Sequence, residues 1–174
     1  MTKTLTAAVL TVLALTLSAC GGNNDATASK NISASLMKAQ KSGGASQLFT
    51  LKKKDADCIG NGFVDKIGTD KLQKYKFLTK DNASAGKIDN LKMSATDATA
   101  ASKVLFGCTD ISTKIKGAIT GSANVPAAMK ACIDKALTED VLRGVMTKTF
   151  EGRSSEIQKD LTAPLTRCAT GSGG

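Results

Sequence analysis

Residues 132–142 read CIDKALTEDVL, and this stretch decides the fold class. Its cysteine and isoleucine belong to one amphipathic segment, for which Pro126 suits the first helical turn. Thr138 suits the N-cap of a second helix, and Glu139 and Asp140 lie at the positive end of its dipole. The stretch therefore predicts two helices joined by a threonine-capped turn.

Residues 58–72, CIGNGFVDKIGTDKL, repeat this arrangement. Gly68 suits a helix C-cap, and Thr69 begins the next helix. Each of the two stretches is followed by a helix that ends in a cysteine, Cys108 in the first case and Cys168 in the second. This internal repeat predicts two related helical units of unequal length.

Apolar spacing elsewhere also favours helices. The predicted segments are 56–67, 69–77, 94–108, 111–119 and 154–168. Residues 94–97, SATD, match a capping box in its looser form with aspartate, while Pro164 should kink or split the last helix. Because no segment shows sustained strand alternation, the chain is predicted to be all-α, a small disulfide-stapled helical domain.

The N-terminus carries an export signal. Lys3 supplies a positive charge, residues 7–17 (AAVLTVLALTL) are apolar, and residues 17–20 read LSAC, the order of a lipobox. The apolar run is shorter than the ~20 residues that a spanning helix needs. The motif resembles that of bacterial diacylated lipoproteins. The resemblance implies cleavage before Cys20, a diacylglycerol on its thiol, and anchoring to the outer face of the cell membrane.

Composition divides the chain into four parts. The predicted parts are a signal peptide over 1–19, an acylated cysteine and flexible tether over 20–47, a disulfide-bonded helical domain over 48–169, and a flexible tail over 170–174. The tether is assigned because Ser, Asn, Ala, Gly and Lys dominate it. The domain has few aromatic side chains (five Phe, one Tyr and no Trp), so a thin core with cross-links is expected.

Four cysteines lie in the predicted domain. An even number in an exported chain indicates two disulfides. Their spacing resembles no zinc motif and the chain has no histidine, so neither a metal nor another cofactor is expected. Loop-closure entropy, at ~4 kcal/mol for the longer loops, does not choose among the three pairings. The repeat does choose, and it predicts Cys58–Cys108 and Cys132–Cys168.

The formal net charge is +9, from 24 Lys and Arg against 15 Asp and Glu. Lysines greatly outnumber arginines, which argues against a nucleic-acid partner. Such a surface suits anionic lipid, a wall polymer or an envelope protein, and it equally suits a merely solvated surface. The candidate polyanion contacts are Lys52, Lys53, Lys54, Lys71, Lys74 and Lys76.

No catalytic residues are predicted. The absence of histidine removes the commonest general base. Ser35 with Lys38, and Ser84 with Lys87, match S-x-x-K, but the companion elements of serine–lysine acylases are missing. We therefore expect that the protein is not an enzyme.

A second resemblance covers residues 55–169. The Cys-Ile, Asp-Lys, Thr-Asp/Glu and Leu pattern, closed by Cys108 and Cys168, resembles small exported four-cysteine helical proteins of high-GC Gram-positive bacteria. It implies a compact disulfide-bonded helical domain and no assigned activity. The expectation is a membrane-anchored lipoprotein presenting a basic helical binding or interaction domain. A structural envelope component without a discrete ligand is the alternative, and an envelope enzyme is the weakest candidate.

Overall fold

The computed structural model describes residues 23–41, 50–84, 91–121 and 125–169. Within these ranges the chain forms eight helices and no strand, which confirms the all-α class. The helices are α1 (Asn23–Ala39), α2 (Lys53–Ile67), α3 (Thr69–Lys74), α4 (Ala95–Cys108), α5 (Ile111–Thr120), α6 (Ala127–Ala136), α7 (Glu139–Phe150) and α8 (Ser154–Ala169). The predicted signal peptide, Cys20 and the predicted tail lie outside the described residues.

The first helix occupies part of the predicted tether. Ala28 and Ile32 of α1 are buried in the core that α1 shares with α2. At the end of α1, the Leu51 N–H donates to Gln40 Oε1 at 2.8 Å, so the chain before α2 is tied back to α1. The prediction of a flexible tether over 20–47 is therefore wrong for α1. Its alanines and serines let the helix pack closely around the buried side chain of Ile32.

Two glycines of α2 make this close packing possible. A Cβ added at Gly60 would lie 2.4 Å from the backbone oxygen of Ser29 on α1. A Cβ added at Gly62 would lie 2.6 Å from Val104 Cγ1 on α4. Glycine weakens a helix by about 1 kcal/mol relative to alanine. Here that cost is offset because α1 and α4 approach the α2 backbone directly.

The helix ends follow the predicted chemistry, with one exception. Gly68 closes α2 at φ 89°, and the side chains of Ser94 and Thr138 accept backbone hydrogen bonds from the third residue of their helices. The helix predicted to run through Phe77 ends earlier, because Lys76 adopts a left-handed φ of 59°. Phe77 therefore enters the core from the turn after α3.

The buried side chains form two clusters. The large core is built mainly from α1 to α4, with Phe150 at the end of α7. At its centre, Phe63 makes edge-to-face contacts with Phe77 and Phe150, at centroid distances of 5.4 and 6.1 Å. The small core consists of Ile133, Leu137, Leu142 and Cys168, with partly buried neighbours. One of its helices, α8, runs through Pro164 as a single element.

One disulfide cross-links helices of the large core, and the other cross-links helices of the small core. Cys58–Cys108 joins α2 to α4 with a Cα–Cα distance of 5.6 Å, and Cys132–Cys168 joins α6 to α8 at 5.5 Å. The predicted pairing is confirmed. Each predicted unit keeps its own disulfide, but the large core also includes α1 and Phe150 of the second unit, and the kinship of the two units stays a prediction.

Helix α7 connects the two cores. Its Leu142 is buried in the small core and its Phe150 in the large one. The fully buried Ser102 of α4 also donates a hydrogen bond to the Arg143 carbonyl oxygen of α7 at 3.1 Å. Helix α7 therefore has contacts to the large core that do not involve α6 or α8.

Candidate functional site

An open groove of about 590 Å³ runs between α1 and α2. Its α1 side consists of Lys30, Ser33, Ala34, Met37, Lys38 and, just after the helix, Lys41. Its α2 side consists of Lys53 and Asp57. We call this feature the lysine groove. It combines four ammonium groups with a thioether and a methyl group.

Helix geometry gathers these side chains. Residues 30, 34, 37, 38 and 41 recur at the three- and four-residue intervals that place side chains on one helix face. Ala28 and Ile32 lie on a different face and enter the large core. Lysine stems lie along apolar surface while their ammonium groups stay in water, so Met37 and Ala34 suit a lysine-rimmed groove.

One carboxylate lies within the groove. Lys53 Nζ is 2.6 Å from Asp57 Oδ2, and Ser33 Oγ donates to Asp57 Oδ1 at 2.6 Å. The hydrogen bond from Lys53, followed by that from Ser33, holds the pKa of Asp57 below its usual value. Asp57 is therefore ionised at neutral pH and offsets one of the four lysines that line the groove.

The six predicted polyanion lysines fall in two places. Lys53 lines the groove, with Lys52 just before α2 and Lys54 in its first turn. The others belong to α3 and the turn after it: Lys71, Lys74 and Lys76. Whether these six contact a polyanion stays a prediction. Sequence reasoning missed the groove lysines of α1 because it assigned them to a tether, although their spacing was a usable signal.

Lys71 has a structural partner. Its Nζ lies 2.9 Å from Oδ1 of Asp97, whose side chain is only 5% exposed. Tyr75 Oη and Ser94 Oγ both donate to Asp97 Oδ2, at 2.7 and 2.9 Å. The hydrogen bond from Tyr75, then that from Lys71, lowers the pKa of Asp97, and the same ion pair raises the pKa of Lys71. The carboxylate thus ties α3 to the start of α4.

This cluster predicts a pH dependence of folding. Because its pKa is lowered in the folded state, Asp97 contributes stability that is fully present above its unfolded pKa of about 4. That contribution is lost as the pH falls through the lower folded value. Urea unfolding of the wild type and of Asp97→Asn should differ most at neutral pH and converge in acid. A constant difference across this range would contradict the assignment.

The S-x-x-K matches stay untested as catalytic pairs. Ser35 and Lys38 both lie on α1, and Lys87 lies outside the described residues. Within the ranges that the structure describes, no three metal-ligating side chains converge. In the same ranges, no helix combines the length and apolar composition that crossing a bilayer requires. Comparisons with models of known protein families, with curated proteins and with solved structures find no match to this chain.

Proposed function

We propose that this chain is a membrane-anchored lipoprotein whose basic helical domain binds an anionic surface of the cell envelope. The observation that carries the proposal is the position of α1. The helix begins at Asn23, three residues after Cys20, and carries one side of the lysine groove. Three residues span at most ~10 Å, so acylation of Cys20 would hold the start of α1 near the headgroups, and the groove would lie there too if α1 runs along the membrane.

The distribution of charge supports this orientation. Residues 20–94 carry thirteen lysines and no arginine against seven aspartates, whereas residues 95–174 carry ten Lys and Arg against eight Asp and Glu. The excess charge therefore lies mostly on the anchored half. Attraction to an anionic leaflet, about 1 kcal/mol per lysine, decays within a Debye length of ~8 Å. A short connection to the membrane is what makes such charges effective.

The disulfides support export. Cross-links of this kind persist outside the cytosol, where thiols are not kept reduced. Two acyl chains hold a protein stably at a membrane, whereas one chain gives reversible binding. The proposal thus joins a stable anchor to a second, electrostatic attachment.

Fatty-acid labelling tests the anchor. In a bacterium that processes lipoproteins, the wild type should incorporate an alkyne-tagged fatty acid and partition into the detergent phase. Cys20→Ala should lose the label entirely, because only a thiol at this position accepts the diacylglycerol. The pair Cys58→Ser with Cys108→Ser is the control and should keep the label. An unlabelled wild type would refute the anchor. An anchored protein without affinity for anionic surfaces would favour the structural alternative.

A further inference from the structure

We propose that the lysine groove binds the phosphate-bearing headgroup of an anionic phospholipid in the membrane that anchors the chain. This inference rests on the proposed function and names the ligand of its basic surface. The phosphate would lie among the ammonium groups of Lys30, Lys38, Lys41 and Lys53. The apolar region below the headgroup would contact Met37 and Ala34.

The lining distinguishes a phospholipid from a purely polar anion. A polyol phosphate of the wall would meet the lysines but would leave the Met37 thioether and the Ala34 methyl group without an apolar partner. A phospholipid offers charge and hydrocarbon side by side, as the groove does. Its source is also within reach, because α1 begins three residues after the proposed acylation site.

Contacts between α1 and the α2 side fix the shape of the groove. At one end, the Gln40 side chain joins α1 to the chain before α2 through the hydrogen bond with the Leu51 N–H. Within the groove, the Ser33 hydroxyl of α1 donates a hydrogen bond to the Asp57 carboxylate of α2. Because these contacts fix the spacing of the two helices, binding a headgroup needs no movement of α1 against α2. A preorganised site of this kind loses less affinity to conformational entropy.

The position of the lysines also sets the orientation of the domain. With a rise of 1.5 Å per residue, Lys30 lies ~10 Å and Lys38 ~22 Å along α1 from Asn23. Both ammonium groups reach a single plane of headgroups only if α1 lies along the membrane. The inference therefore requires α1 to be parallel to the bilayer surface, with its lysine face toward it.

Lysine reactivity on vesicles tests the inference. The acylated wild-type protein is reconstituted on vesicles of phosphatidylcholine and on vesicles of phosphatidylcholine and phosphatidylglycerol in equal parts, and is treated with an N-hydroxysuccinimide ester. The reaction needs the neutral amine. A headgroup that stabilises the ammonium by ~1 kcal/mol slows it about fivefold. We expect this slowing at Lys30, Lys38, Lys41 and Lys53 on the anionic vesicles, with its loss in high salt.

Two pairs of variants give matched controls. Replacing Lys30, Lys38 and Lys41 together by Gln should abolish the slowing at Lys53. Replacing the exposed Lys103, Lys130 and Lys159 by Gln removes the same charge from residues 95–174. This variant should keep the slowing at Lys53 unchanged. Asp57→Asn should strengthen the slowing by removing the carboxylate in the groove. Asp65→Asn, an equal change on the same helix but outside the groove, should have no effect.

The outcomes separate the inference from the proposed function. Flotation of the protein with both kinds of vesicle reports the anchor independently of the groove. Floating protein with equal lysine reactivity on both vesicles would overturn the inference and leave the anchor intact. If soluble poly(glycerol phosphate) slowed the reaction of the groove lysines and anionic vesicles did not, the inference would be overturned in favour of a wall polymer. Equal slowing at Lys103, Lys130 and Lys159 would show a diffuse surface effect and also overturn it.

Discussion

Replacing Cys132 and Cys168 by alanine is expected to release α6 and α8 while the rest of the domain stays folded. The disulfide closes a loop with a sequence separation of 36, for which chain entropy contributes about 4 kcal/mol. Among the described residues, the small core has four buried side chains and the large core sixteen. Without its disulfide, the small core cannot offset the entropy of ordering α6 and α8.

Native-state hydrogen exchange measures this effect. In the variant, amides of α6 and α8 should exchange with near-zero opening free energy, while those of α2 and α4 keep their protection. The matched control replaces Cys58 and Cys108, whose loop of similar entropy closes the large core. That variant should unfold at a lower temperature than the wild type. Below that temperature, the amides of every described helix should stay protected from exchange. Uniform loss of protection in both variants would mean that the two cores unfold as one unit.

Gly60→Val is expected to cost about 3 kcal/mol, because overpacking a closely packed contact costs about this much. Even the first added atom would lie 2.4 Å from the Ser29 backbone oxygen, and a backbone atom cannot swing aside. The helix α1 must then move away from α2, which exposes Ala28 and Ile32. Equilibrium urea unfolding of the variant measures the loss.

The same substitution at Gly144 is the control. Gly144 is exposed within α7, and an added Cβ there meets nothing within 4 Å. Gly144→Val should change the free energy of unfolding by less than about 0.5 kcal/mol, since only helix propensity differs. Similar losses at both positions would show that α1 does not depend on close contact at Gly60.

The sequence allowed prediction of the local chemistry of the helices. Gly68, Ser94 and Thr138 act through backbone geometry and hydrogen bonds within a few residues, so their roles do not depend on the tertiary fold. The disulfide pairing was predictable from the internal repeat. Cys58 and Cys132 begin similar runs of helices, and each pairs with the cysteine that ends its own run.

The packing of α1 could not be predicted in the same way. Composition marks a helix core by many large apolar side chains, whereas α1 buries Ile32 and otherwise lies close to α2 through small residues and Gly60. The distance between the backbones of α1 and α2 depends on both helices, so the sequence of one helix alone does not reveal it. The spacing of Lys30 and Lys38 does indicate a shared helix face, but these lysines form one side of a groove only because α2 supplies the opposite side.

The end of α1 lies beside the start of α2, where Gln40 contacts Leu51, so the two helices are antiparallel. This arrangement has a mechanical consequence. The Thr69 hydroxyl, just after α2, donates to Asp25 near the start of α1, and Asn31 Nδ2 donates to the Asn82 backbone carbonyl oxygen at 2.8 Å. Tension applied through an acylated Cys20 reaches these contacts first and peels α1 from its N-terminal end, one contact after another. Extension then stops at Cys58, where the covalent link to Cys108 carries the load. If Cys20 is acylated as proposed, a pull on the lipid would thus detach α1 and leave α2 cross-linked to α4.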